Sequence, residues 1–189
     1  MNQGSAIGLS AMTVLGVALL AGNADSQQNS LNEQLESLKV QLVGTWTLVS
    51  YERVFPDGHA MHEMGANPKG INIFEPDGHY VLIIASSGSA NKASTPAEDQ
   101  VMTKLMAASY GTYTVDVRGG NRLGLREDFS SLHPTLVGAD TERIITSLTP
   151  NQLNYTIPEP FGEAIHVEWT RAAAIQPYSL TPQHYGPAQ

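Results

Sequence analysis

After Gly44 the side-chain pattern changes its period from about 3.6 residues to two, and it keeps the shorter period along most of the chain as far as Arg171. Trp46, Leu48, Ser50 and Glu52 alternate with Thr47, Val49, Tyr51 and Arg53. Further strand-like runs occupy 70–75, 79–85, 110–117, 121–126, 143–148, 152–157 and 164–171. Turn chemistry separates them. Pro56-Asp57-Gly58-His59 and Pro76-Asp77-Gly78-His79 repeat one tetrapeptide, each with an Asp-Gly pair suited to positive φ. Gly119-Gly120 and Pro150-Asn151 mark two more breaks. Consecutive strands joined by tight turns form an antiparallel meander, and a meander closed on itself hides its edges. The expected fold is mainly β: a small up-and-down barrel of about eight strands, with an open sandwich as the alternative topology.

Before Gly44 the period is helical. Ser30-Leu31-Asn32-Glu33 has the form of a capping box, and Leu31, Leu35, Leu38 and Leu42 come after it at helical spacing. A linker and amphipathic helix are expected within 25–41, the barrel over 42–171 and a loose proline-bearing tail over 172–189. Residues 1–24 contain no Asp, Glu, Lys or Arg. Their apolar run is shorter than the ~20 residues of a spanning helix, and Gly22-Asn23-Ala24 supplies small residues before a polar stretch. That is the order of a secretory signal peptide, although no Lys or Arg precedes the run. Export to the periplasm or the medium is expected, with no stable membrane span after processing. A packed N-terminal helix or an uncleaved anchor is the other reading.

One long interruption spans 86–109. It opens with small and polar residues, then gives Thr95-Pro96-Ala97-Glu98, a second capping box with proline at the favoured first position. Val101, Met102, Leu105 and Met106 lie beyond it on one helical face. This excursion reads as a loop and one helix, either a lid over a pocket or a plug in one end of the core.

The chain has 10 basic and 18 acidic residues in 189, a formal charge of −8, with its cations scattered singly. Nucleic-acid binding, which needs a clustered basic face, is not expected. The absence of cysteine excludes disulfides, thiolate metal sites and a cysteine nucleophile. Neither a G-x-S-x-G elbow nor a phosphate loop is present. His59, His62 and His79 could meet around a metal only if the two Asp-Gly turns lie together; surface turn histidines are the commoner case. His133 and His166 read as ordinary loop and strand residues. No metal and no cofactor are expected.

The segment from Leu42 through Gly44-Thr45-Trp46 to Glu52 resembles the opening strand of the lipocalin-like domain proteins of bacteria and fungi. The likeness continues through Asn67-Pro68-Lys69-Gly70, Pro76-Asp77-Gly78, 110–116, Glu142-Arg143 and Trp169-Thr170-Arg171. The resemblance implies an antiparallel barrel with an internal cavity. It also implies that Trp46 sits at the closed end with Arg171 of the last strand packed across it. A guanidinium on an indole face gains roughly 0.5 to 2 kcal/mol, so both are structural.

If Trp46 faces inward, strict alternation turns Leu48, Ser50 and Glu52 inward too. A buried Glu52 is costly unless paired, hydrogen-bonded or placed at the mouth; either it is solvated at the strand's end or paired with an arginine such as Arg143, or it is the candidate acid–base group or polar anchor. Tyr80, Tyr113 and Tyr155 suit either the wall of a mostly apolar cavity or the outer face, bonded to water; Ile73 and Leu82 are candidate aliphatic lining, with Met102 and Met106 from the excursion. The leading expectation is an exported barrel binding a small, largely hydrophobic molecule. The alternatives are a cavity-based enzyme of isomerase or cyclase type, and a filled barrel acting through an exposed apolar patch. Oligomeric state is not legible.

Overall fold

The structure, a computed structural model, describes residues 15–86 and 106–173, with side chains from Asp25 onward. One helix, α1 (Leu15–Leu42), precedes nine strands. These are β1 (Gly44–Val54), β2 (Ala60–Met61), β3 (Lys69–Phe74), β4 (His79–Ala85), β5 (Met106–Asp116), β6 (Arg122–Ser130), β7 (Asp140–Leu148), β8 (Gln152–Pro158) and β9 (Ala164–Arg171). From β3 onward every strand pairs antiparallel with the next, and β1 pairs with both β3 and β9. The β1–β9 ladder closes the sheet, so the architecture is an eight-stranded barrel and not an open sandwich. The extra strand, β2, covers only Arg53 and Val54 of β1.

Alternation along the strands builds the interior. In β9, Ile165, Val167 and Trp169 are buried while the residues between them are exposed. β8 contributes Leu153 and Tyr155, and β6 contributes Leu123 and Leu125. Three ladders slip register, between Leu48 and Ser50, between Tyr110 and Gly111, and between Ile145 and Ser147. Such bulges add local twist and bend strands round a small barrel. Gly111 sits at one of them, where a Cβ would overlap the Arg126 carbonyl.

The closed end is capped by α1. The leucine stripe is as the spacing predicts: Leu38 and Leu42 are buried in the core, and Leu31 and Leu35 are partly covered. The helix does not begin at Ser30, however. It runs on from Leu15 because no proline or other strong breaker intervenes, and Ser30 Oγ accepts a bond from Gln34 Nε2 within the helix instead of capping it. Trp46 and Trp169 are fully buried above α1, and the Trp46 indole N–H donates to the Leu42 carbonyl at 2.9 Å. Arg171 lies over the Trp46 ring at 4.1 Å and donates to the carbonyls of Gln41, Val43 and Pro150. Gly44 makes room for it: φ is +130°, and a Cβ would stand 2.6 Å from Arg171 Nη1.

The two Asp-Gly-His turns share one design at opposite ends of the barrel. In each, the Asp carboxylate accepts from the histidine amide at 3.1 Å and also contacts the histidine ring. The turn after β1 is at the mouth, and the turn between β3 and β4 is at the closed end. His59 and His79 therefore do not meet, and no cluster of metal-ligating side chains occurs among the described residues.

The 86–109 excursion is corrected in part. Met106 starts β5 and pairs with Ala85, so the strand begins where the last turn of a helix was expected. Methionine and alanine tolerate either state, and ladder bonds to β4 decide it. Met102 and the lid or plug reading fall outside the described residues.

Candidate functional site

A cavity of about 480 Å³ opens between the β6–β7 and β8–β9 connections, at the end opposite α1. Its walls are aliphatic where β4, β5, β8 and β9 face inward: Leu82, Ile84, Ala107, Ile157 and Ile165. Polar groups reach the inner wall from five strands, Tyr51 from β1, Ser109 from β5, Glu127 and Ser130 from β6, Thr141 and Arg143 from β7 and Tyr155 from β8, and His133, Glu142 and Glu159 add to them around the opening. The mouth loops present further apolar side chains, with Leu132 and Leu136 beside the opening and Phe161 96% exposed on the β8–β9 loop. At the same rim Arg53 binds Glu63 at 2.6 Å and Glu163 at 2.8 Å, with Glu159 3.7 Å away. These pairs tie three mouth segments together and hold the guanidinium more firmly protonated than usual.

Glu127 and Arg143 are only 6% and 8% exposed. Arg143 Nη1 donates to Thr141 Oγ1 at 2.6 Å, and no ion pair within 4.0 Å joins it to Glu127. Glu127 Oε2 is buried without a hydrogen-bond partner among the described residues, while the buried Tyr80 Oη, Asn72 Oδ1 and Trp169 Nε1 make only loose contacts, Tyr80 with Ser109 and the other two with Tyr155. A buried polar atom left without a partner costs about 1–3 kcal/mol, and of these four it is Glu127 that lines the hollow. Desolvation sets the tyrosines. Burial pushes Tyr51 up to about 12, with the nearby Glu63 charge adding to it. Burial likewise raises Tyr155, opposed by the Arg143 charge and by hydrogen-bonding contact with Trp169 and Asn72. It raises Tyr80 too, where Ser109 and Arg143 pull downward and Glu127 upward. All three phenols are neutral at physiological pH and offer both a donor and an acceptor.

Of the residues expected to line a cavity, Leu82 and Tyr155 do so. Tyr80 and Leu48 face inward and are buried in the layer beside it. Tyr113 also faces inward but belongs to the closed end, stacked edge-on against Phe74 and donating to the Glu75 carbonyl at 2.7 Å. Trp46 and Arg171 meet at the closed end, as the resemblance implies. Four placements are corrected. The bulge between Leu48 and Ser50 reverses the parity of β1, so Tyr51 turns inward while Ser50 and Glu52 lie on the outer wall opposite Glu168 and His166. Glu52 is 3.5 Å from His62 there and does not approach Arg143. Ile73 is outside because Asn72 and Phe74 take the inward positions of β3, and Met106 is 49% exposed at the start of β5.

Tyr51, Glu127 and Arg143 were not expected in the cavity. Tyr51 carried a signal, since an aromatic between two polar residues fits the inner wall only after a parity change. Glu127 carried none, since a lone charge within a strand ordinarily faces water, and Arg143 was named only as a partner for Glu52. His133 lines the mouth and His166 is on the outer wall. Asn154, of the Asn154-Tyr155-Thr156 sequon, lies within β8 with its carbonyl buried.

The sequence profile of the lipocalin-like domain matches residues 43–164. The chain belongs to the lipocalin-like domain family. Among solved structures it is similar to a lipocalin-like protein from Bacteroides uniformis, at 13% identity and TM-score 0.42, covering 70% of this chain and 99% of that one. It is also similar to the redesigned β-barrel mFAP1 bound to DFHBI, at 17% identity and TM-score 0.38, covering 71% and 98%. No curated protein matches. The lipocalin-like profile spans the barrel from the residue before its first strand to the start of its last. No helix among the described residues is long and apolar enough to cross a membrane.

Proposed function

We propose that this lipocalin-like barrel binds a small molecule with a largely apolar body in its internal cavity. The observation that carries the reading is the hollow of about 480 Å³, open at one end and walled mainly by aliphatic side chains, in a barrel whose other end is sealed. Its size falls within the usual range for small-molecule pockets, and convergent polar groups such as Glu127, Arg143 and Tyr155 are what such sites use to orient a guest. Nile red, a neutral apolar dye, tests it. Its fluorescence should rise on mixing with the protein, and Ala107→Trp, which fills the hollow from β5, should abolish the rise while the fold persists. A fluorescence gain that survives Ala107→Trp would place the dye elsewhere and end the reading.

A second reading, a cavity enzyme, now draws on Glu127, because it is the buried carboxyl of the cavity and Glu52 is outside. Multiple turnover of a bound substrate that is lost in Glu127→Gln would establish it; equal turnover in both proteins would remove it.

Export belongs to the same proposal. The charge-free residues 1–24 support it, and N-terminal sequencing of protein recovered outside the cytoplasm should begin near Asp25.

A further inference from the structure

The polar groups of the cavity constrain the guest's head group as well as its body. Arg143 carries a fixed positive charge and spends one nitrogen on Thr141. Glu127 offers a buried acceptor oxygen with no donor opposite it among the described residues. Both line the same hollow, and both stand close enough to the Tyr80 hydroxyl to act on it, in opposite directions. The pair is balanced in charge yet unjoined. A carboxylate guest would satisfy Arg143 but add a second negative charge beside Glu127 in a low-dielectric space, leaving one charge without a counterpart. An ammonium guest creates the reverse imbalance beside Arg143. A neutral group that both accepts and donates, such as a hydroxyl or a primary amide, serves both residues and leaves the balance intact.

The rim points the same way. Glu63, Glu159 and Glu163 face the single guanidinium of Arg53, while Glu142, which also borders the opening, is paired with Arg122 at 2.7 Å. An anion entering past them meets net negative charge, within a chain of formal charge −8.

Resting on the cavity reading, we infer that the guest is an uncharged amphiphile: an apolar chain ending in a neutral hydrogen-bonding group that bridges Glu127 and Arg143, in preference to a fatty-acid-like anion.

Three probes with the same chain separate the possibilities: decanol, decanamide and decanoate, each titrated calorimetrically into the full-length protein at neutral pH. Decanol and decanamide should bind at least about tenfold more tightly than decanoate, the factor expected of one lost or frustrated buried hydrogen bond. Equal affinities would overturn the head-group inference and leave the cavity reading standing. Tightest binding by decanoate would also overturn it, in favour of Arg143 as an anion anchor. No heat from any probe, together with no Nile red response, would overturn both. Glu127→Gln adds a second readout. Removing the negative charge leaves Arg143 unbalanced, so the preference should move toward decanoate by about tenfold or more. Circular dichroism identifies a misfolded variant, and the wild-type series decides the inference without it.

Discussion

The two ends of this barrel differ in how fully their buried charged groups are partnered. At the closed end, Trp46 donates to Leu42, and Arg171 covers the indole and donates to three carbonyls from three segments. In the cavity Glu127 buries a carboxylate oxygen with no partner among the described residues, Arg143 spends one nitrogen on Thr141, and in the layer beside them the Tyr80 hydroxyl is held only by a loose contact with Ser109. A satisfied network specifies one structure, whereas an unsatisfied one lowers stability unless something else completes it. The closed end is thus the part that holds the fold, and the open half is the part whose energetics favour a guest.

The largest expected effect breaks the closed end. Trp46→Ala removes a fully buried indole together with the bond to Leu42 and the surface on which Arg171 stacks. A loss of about 3–5 kcal/mol is expected in urea unfolding, enough to unfold a marginal barrel outright. If Trp46→Ala costs less than about 1 kcal/mol, the closed end is not what holds the barrel together.

Next comes a pH effect that reads the cavity half. Folding raises the Tyr51 pKa from 10.0 to about 12, chiefly by desolvation. A raised pKa means that the folded state keeps a proton the unfolded chain releases. The contribution is intact below pH 10 and declines as pH rises toward about 12, by about 2–3 kcal/mol for this group. Burial moves Tyr80, Tyr113 and Tyr155 in the same direction, so alkaline unfolding should be steep. Stability measured across that pH range should fall, and Tyr51→Phe should remove its share of the slope. A slope unchanged in Tyr51→Phe would mean that Tyr51 is solvated and not part of the inner wall.

Arg171→Lys and Tyr80→Phe set the two ends side by side. The lysine keeps the charge but not the planar fork, so it loses the stacking and most of the carbonyl bonds, at about 2 kcal/mol. Tyr80→Phe deletes a buried hydroxyl whose contact with Ser109 is loose, and its cost should stay within about 1 kcal/mol or reverse sign. Equal losses in the two variants would erase the contrast between satisfied and unsatisfied ends.

That contrast also divides what was legible in the sequence from what was not. The closed end is made of short local signals: Gly44 two residues before Trp46, a leucine stripe at helical spacing, and an arginine at the end of the last strand. Each has a steric or electrostatic reason that does not depend on distant register. The eight barrel strands were legible for a similar reason, since alternation and Asp-Gly turns are local. The cavity is assembled from single inward positions on five strands, Tyr51, Ser109, Glu127, Arg143 and Tyr155, and each depends on where bulges fall. Buried charges such as Glu127 look like surface residues until the sheet is closed around them.

The smallest effect tests the bulge itself. With unbroken alternation from Trp46, Glu52 would be an inward carboxyl, and Glu52→Gln would alter any guest's affinity. With the register slip after Leu48, Glu52 sits outside across from His166 and beside His62, exposed enough for its pairing to be weak. Glu52→Gln should therefore change stability by no more than about 0.5 kcal/mol and leave Nile red binding untouched, while Tyr51→Phe, one position away, perturbs it. The opposite result, binding sensitive to Glu52 and indifferent to Tyr51, would move the slip elsewhere along β1 and with it every side chain this strand contributes to the hollow.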